Sequence, residues 1–93
     1  MSTKILIVED SPTQAARLKH LLQQNNFEVL VAGRATEALD TARQQRPDLM
    51  ISDVNMPEMD GFELCRRVRL DPQLRELAIL LLTGLSDPED IIR

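Results

Sequence analysis

The chain is predicted to be a small α/β domain built on a doubly wound parallel sheet, and three observations support this. Apolar runs of three to five residues alternate along the 93-residue sequence with segments whose apolar positions recur at helical spacing. The runs Ile5-Leu6-Ile7-Val8, Leu49-Met50-Ile51 and Ala78-Ile79-Leu80-Leu81-Leu82 are unbroken, as in strands covered by helices on both faces. The length fits one domain, with consecutive strands joined by right-handed helical crossovers.

The elements follow in order. Strand one is Ile5 to Val8. Helix one starts at Ser11-Pro12-Thr13-Gln14, with Ser11 as N-cap, proline at the first helical position and Gln14 completing a capping box. Ala15, Leu18, Leu21 and Leu22 form its apolar stripe, and the helix fades near Gln24-Asn25-Asn26. Strand two is Phe27 to Ala32, ended by Gly33. Helix two carries Ala35, Ala38, Leu39 and Ala42 on one face and stops before Pro47. Strand three is Leu49 to Ser52. After the loop Asp53 to Gly61, Asp60 caps helix three, with Glu63 as its partner and Phe62, Cys65 and Val68 facing the sheet. Asp71-Pro72 opens the next loop, Ala78 to Leu82 is strand four, and Ser86 or Asp87 caps a fourth helix.

Composition narrows the functional classes. The chain is 43% hydrophobic with 2% aromatic residues and neither Trp nor Tyr, so its core is aliphatic. A net charge of −4 argues against a general nucleic-acid surface, and Arg66, Arg67 and Arg69 are expected on the solvated face of one helix. The single cysteine, Cys65, allows no internal disulfide and is expected as a small core residue in a reducing compartment. No run approaches the roughly 18 apolar residues of a membrane span, and no signal peptide is expected, which makes the cytoplasm the expected location.

Three acids end two of the strands. Glu9 and Asp10 follow strand one, and Asp53 follows strand three. In an open parallel sheet, sites form outside the carboxyl ends of the strands. If these strands are neighbours, three carboxylates meet on one small patch, an arrangement that requires a cation or bound protons to offset the repulsion. A divalent metal site is the expectation. Each acid also has a plainer reading, Glu9 as a solvated side chain and Asp10 and Asp60 as cap residues; the conjunction at one end of one sheet favours the site.

These residues, with the loop Asp53-x-x-Met56-Pro57-x-x-Asp60-Gly61 and with Thr83 after strand four, resemble the receiver domain of bacterial two-component response regulators. The resemblance runs from Lys4 to the end of the chain. It implies a flavodoxin-like fold with strands one and three side by side. It implies Asp53 as phosphoacceptor, an aspartate nucleophile that carries a phosphoryl group. It further implies Mg2+ bound directly by Asp10 and Asp53, by Glu9 through water and by the backbone carbonyl of Asn55. Thr83 takes the place of the hydroxyl that contacts the phosphoryl group and drives the switch. The implied partner is a sensor histidine kinase or phosphotransfer protein, with no direct nucleic-acid or membrane contact. His20, mid-helix beside Lys19, is expected at the surface with no phosphodonor role.

The family pattern continues beyond Arg93 into a fifth strand, which opens with a phosphoryl-contacting lysine, and a fifth helix. The expectation is therefore an incomplete receiver spanning 1–93, with strand order 2-1-3-4 and its last residues in the fourth helix. Strand four is then an apolar edge through which two copies are expected to pair. Two functions compete: a receiver that accepts phosphate at Asp53, and a degenerate or truncated receiver that serves as an interaction or dimerisation module. An aspartate-nucleophile phosphatase is a weaker third, because Asn55 stands where such enzymes carry a second, proton-donating Asp. The chain is not expected to be an enzyme.

Overall fold

The structure is a computed structural model that describes residues 2–82; Thr83 and the expected fourth-helix cap at Ser86 or Asp87 lie outside the described residues. Seven elements alternate: β1 (Lys4–Val8), α1 (Pro12–Gln24), β2 (Glu28–Ala32), α2 (Ala35–Gln45), β3 (Leu49–Asp53), α3 (Gly61–Leu70) and β4 (Ala78–Leu82). The strands form one parallel sheet in the order β2-β1-β3-β4. Ile5 sits in register with Val29 on one side and Leu49 on the other, and Leu49 pairs with Ala78. The crossover direction thus reverses between β1 and β3, and their carboxyl ends flank the switch point where ligand crevices form in such sheets.

Strand alternation divides the core between two faces. Leu6, Val8, Ala32 and Met50 join Ala35, Ala38, Leu39 and Ala42 of α2, Leu64 and Val68 of α3, and Met59 and Leu74 of the loops in one buried aliphatic cluster. Ile5, Ile7 and Ile51 are buried on the other face, where α1 packs on β1 and β2. That face is covered less fully: Leu21 of α1, Val31 of β2 and Leu80 of β4 are all exposed.

The helix ends show where local chemistry departs from the sequence pattern. Ser11 Oγ accepts from the Gln14 N–H at 3.3 Å, as expected of an N-cap, but the Ser11 N–H donates to Glu9 Oε2 at 2.9 Å rather than to Gln14. The expected capping box is replaced by a carboxylate from the preceding strand end. Asp60 Oδ1 likewise accepts from the Glu63 N–H at 2.8 Å, while the Glu63 side chain turns away to Arg66 and Arg67. Those ion pairs, with Arg69 donating to the carbonyls of Arg75 and Leu77, engage the three arginines of α3 locally. α2 ends at Arg46, which adopts left-handed backbone angles (φ 49°, ψ 63°) while its N–H donates to Ala42 O.

The inward face of α3 is turned part of a residue step from the expected one and shares only Val68 with it. Gly61, Leu64 and Val68 face the sheet, Cys65 is half-buried, and Phe62 is 64% exposed. The cause is Gly61: its N–H donates to Val54 O at 2.8 Å, and a Cβ there would lie 2.7 Å from Asp53 O. Only a residue without a side chain fits that contact, so helix rotation is set by backbone approach rather than by the larger apolar residue.

Candidate functional site

Glu9 and Asp10 leave β1 just beyond Val8, and the Glu9 N–H extends the sheet by donating to Ala32 O at 3.1 Å. Asp53 is the last residue of β3, one position beyond the Ser52 that pairs with Val8. The adjacency of β1 and β3 brings one oxygen from each of Glu9, Asp10 and Asp53 within 4.8 Å of one another. Glu9 is 4% and Asp53 8% exposed, whereas Asp10 is open to solvent. Repulsion among three carboxylates this close, two of them buried, must be offset by a cation or a proton.

The hydrogen bonding of the cluster is uneven. Glu9 Oε2 is occupied by the Ser11 N–H, but Glu9 Oε1 is buried with no protein partner. Burial raises the Glu9 carboxyl from 4.5 to about 7, opposed by the Ser11 bond and reinforced by Asp10 and Asp53. Asp53 Oδ1 accepts from the Asn55 N–H at 3.3 Å, which folds the loop back over the carboxylate. A buried, unpartnered oxygen beside two further carboxylates is a donor set suited to a hard divalent cation, which prefers oxygen ligands. The residues present therefore fit a Mg2+-type ion.

The loop after β3 is shaped by backbone bonds. The Val54 N–H donates to Leu82 O at 3.0 Å, joining the loop to β4. The Met59 N–H donates to Pro57 O at 2.7 Å across Glu58, whose φ of 70° marks a tight γ-type turn. Ser52 is fully buried and donates from Oγ to the Asp53 carbonyl at 2.9 Å. Sequence reasoning passed over Ser52 and the Ser11 amide; the only signal for Ser52 was a hydroxyl within an otherwise apolar strand. His20 is exposed on α1. A groove of about 290 Å³ lies at the opposite end of the sheet, lined by Arg46, Asp48, Leu74 and Glu76 among others, and contains none of the clustered acids.

Among the described residues, no helix is long and apolar enough to cross a membrane. The family model for the response regulator receiver domain matches residues 5–93. Over 87 residues the chain is 44% identical to the transcriptional regulatory protein CreB of Escherichia coli, covering 92% of this chain and 37% of CreB. The signal receiver domain of a signal transduction histidine kinase from Syntrophus aciditrophicus superposes with a TM-score of 0.84 at 49% identity, covering 98% of this chain and 69% of that one. Chemotaxis response regulator CheY4 of Vibrio cholerae gives 0.84 and 41%, covering 97% and 75%. The chain spans from 20% to 66% of the length of curated relatives such as PleD of Caulobacter vibrioides and a 14.6 kDa protein of Leptolyngbya boryana. With its flavodoxin-like sheet order and this match across residues 5–93, the chain belongs to the response regulator receiver domains of two-component signalling.

Proposed function

We propose that Asp53 is the phosphoacceptor of this receiver and takes its phosphoryl group from a histidine kinase or phosphotransfer protein. The observation that carries the proposal is the convergence of Glu9, Asp10 and Asp53 beside an unpartnered buried oxygen at the β1–β3 switch point. Asp53 and Asp10 would hold Mg2+ directly, with Glu9 acting through water and the Asn55 carbonyl supplying a further oxygen. The bound ion would neutralise charge on the phosphoryl oxygens, the main demand of this chemistry.

The chain's own groups do the rest. The Asn55 N–H holds one Asp53 oxygen, so the other is presented to phosphorus. The bond from that oxygen to phosphorus forms as the bond from phosphorus to the donor's nitrogen or oxygen breaks, and the donor leaves with the electron pair. Thr83 contacts the phosphoryl group afterwards and couples it to the switch. On this reading the chain is a cytoplasmic signalling module and not an enzyme acting on a separate small substrate.

The test is mass spectrometry after incubation with acetyl phosphate and Mg2+. A single phosphoryl adduct on the parent, absent in Asp53→Asn, is the expected result; an adduct that persists in the variant removes Asp53 from the role. A second reading, an interaction module that pairs with a copy of itself through β4, is favoured by one observation. Leu80 is 47% exposed on the outermost strand of the described sheet.

A further inference from the structure

β3 carries one buried polar side chain that the carboxylate cluster does not use. Ser52 is 0% exposed, on the sheet face opposite Ile51, beside the aliphatic cluster of α2 and α3. A hydroxyl in such a place costs free energy unless it is bonded, and an alanine or valine would fill an aliphatic layer as well. Its bond goes to the carbonyl oxygen of Asp53, at 2.9 Å. That oxygen is the one against which the bare Cα of Gly61 packs. The nitrogen of the same peptide, Val54 N, donates to Leu82 O of β4 at 3.0 Å.

The Asp53–Val54 peptide plane is therefore fixed at both ends, by Ser52 and Gly61 at its oxygen and by β4 at its nitrogen. Rotation of this plane changes ψ of Asp53 and φ of Val54, the two angles that decide where the loop returns. The Asn55 N–H reaches Asp53 Oδ1 only because the loop returns over the carboxylate. We propose that Ser52 is a positioning residue for phosphoryl acceptance: its hydroxyl fixes the acceptor peptide and thereby the angle of the Asp53 carboxylate and the Asn55 backbone. The inference rests on the assignment of Asp53 as acceptor. A reacting group displaced by about 1 Å loses up to about a hundredfold in rate, so a single bond at this plane is enough to matter.

Ser52→Ala removes the donor and leaves the core apolar; Ser52→Thr keeps the hydroxyl. The experiment measures phosphoryl incorporation from acetyl phosphate over a series of donor and Mg2+ concentrations, with the parent and Asp53→Asn alongside. Ser52→Ala is expected to lower the rate at saturating Mg2+ about tenfold, the mark of lost alignment, and to raise the half-saturating Mg2+ concentration as well, because the Asp53 carboxylate and Asn55 carbonyl it orients are also the proposed metal ligands. Ser52→Thr is expected to recover most of that rate. In the metal-free protein, amide resonance shifts in Ser52→Ala should be confined to residues 52–55 and Gly61. An alanine variant at the parent's rate, a threonine variant as slow as alanine, or shifts spread through the aliphatic cluster would each overturn the proposal. A parent that takes no phosphoryl group overturns the acceptor assignment itself, and the inference with it.

Discussion

Glu9 presents two oxygens with different fates: one is held by the Ser11 amide and the other is buried without a partner. Burial is the largest reason its carboxyl rises from 4.5 to about 7. The sign of the resulting pH dependence follows directly. Between pH 4.5 and about 7 the metal-free folded chain binds a proton at Glu9 that the unfolded chain has lost, so this group's contribution to stability declines as pH rises through that window. Glu9→Gln keeps the oxygen that receives the Ser11 N–H and removes the titration. In denaturant titrations with a chelator present, the variant should gain on the parent between pH 4.5 and pH 8. Mg2+ affinity of the parent should rise over the same interval, because the cation no longer competes with the proton. A stability difference between variant and parent that is the same at both pH values would remove Glu9 as the titrating group.

At the scale of elements, the end of α2 offers a plain test of backbone strain. Arg46 sits at φ 49° and ψ 63°, in the left-handed region that costs most side-chain-bearing residues about 1–2 kcal/mol. Its side chain is exposed, and its N–H closes the helix on Ala42 O, a bond glycine retains. Arg46→Gly should therefore stabilise the chain by roughly 1 kcal/mol, seen as a rise of about 4–8 °C in Tm; an unchanged or lowered Tm would show that the strain is not there. The same backbone logic explains what the sequence revealed and what it hid. Unbroken runs such as Ile5 to Val8 announce buried strands, and Pro12 after Ser11 announces a helix start, because each is a local signal. The rotation of α3 was hidden, since Phe62-Cys65-Val68 and Gly61-Leu64-Val68 are both helical stripes. The contact that decides between them, Gly61 against the Asp53 carbonyl, joins a helix to a strand. The Glu9–Ser11 bond was hidden for a similar reason, because Gln14 offered an equally plausible partner in the sequence. The acids were legible because their positions at strand ends depend only on the chain, whereas the place of Ser52 depends on the packing around it.

At the scale of the whole molecule, the two sheet faces are unequally covered. The face under α2 and α3 holds the continuous aliphatic cluster, while the face under α1 leaves Val31 exposed at one flank and Leu80 at the other. β4 pairs with β3 on one side only within the described sheet, and its Ala78 and Leu80 are open to solvent. Among the described residues, an apolar strand in that position presents backbone groups without a strand partner together with apolar side chains, the combination that templates pairing with another chain. A two-fold pairing of β4 strands would satisfy both, since each copy offers the other the same surface. Sedimentation velocity over a concentration series, in the absence of phosphodonor, is the measurement. The parent should shift from monomer toward dimer as concentration rises, and Leu80→Lys, which places a charge on that flank without touching Glu9, Asp10 or Asp53, should stay monomeric and still take phosphate. A parent that sediments as a monomer throughout would end the self-pairing reading, and a lysine variant that still dimerises would move the interface away from β4. Because the carboxylate cluster lies at the carboxyl ends of β1 and β3, one strand inward from this flank, pairing and phosphate acceptance are expected to be separable by mutation.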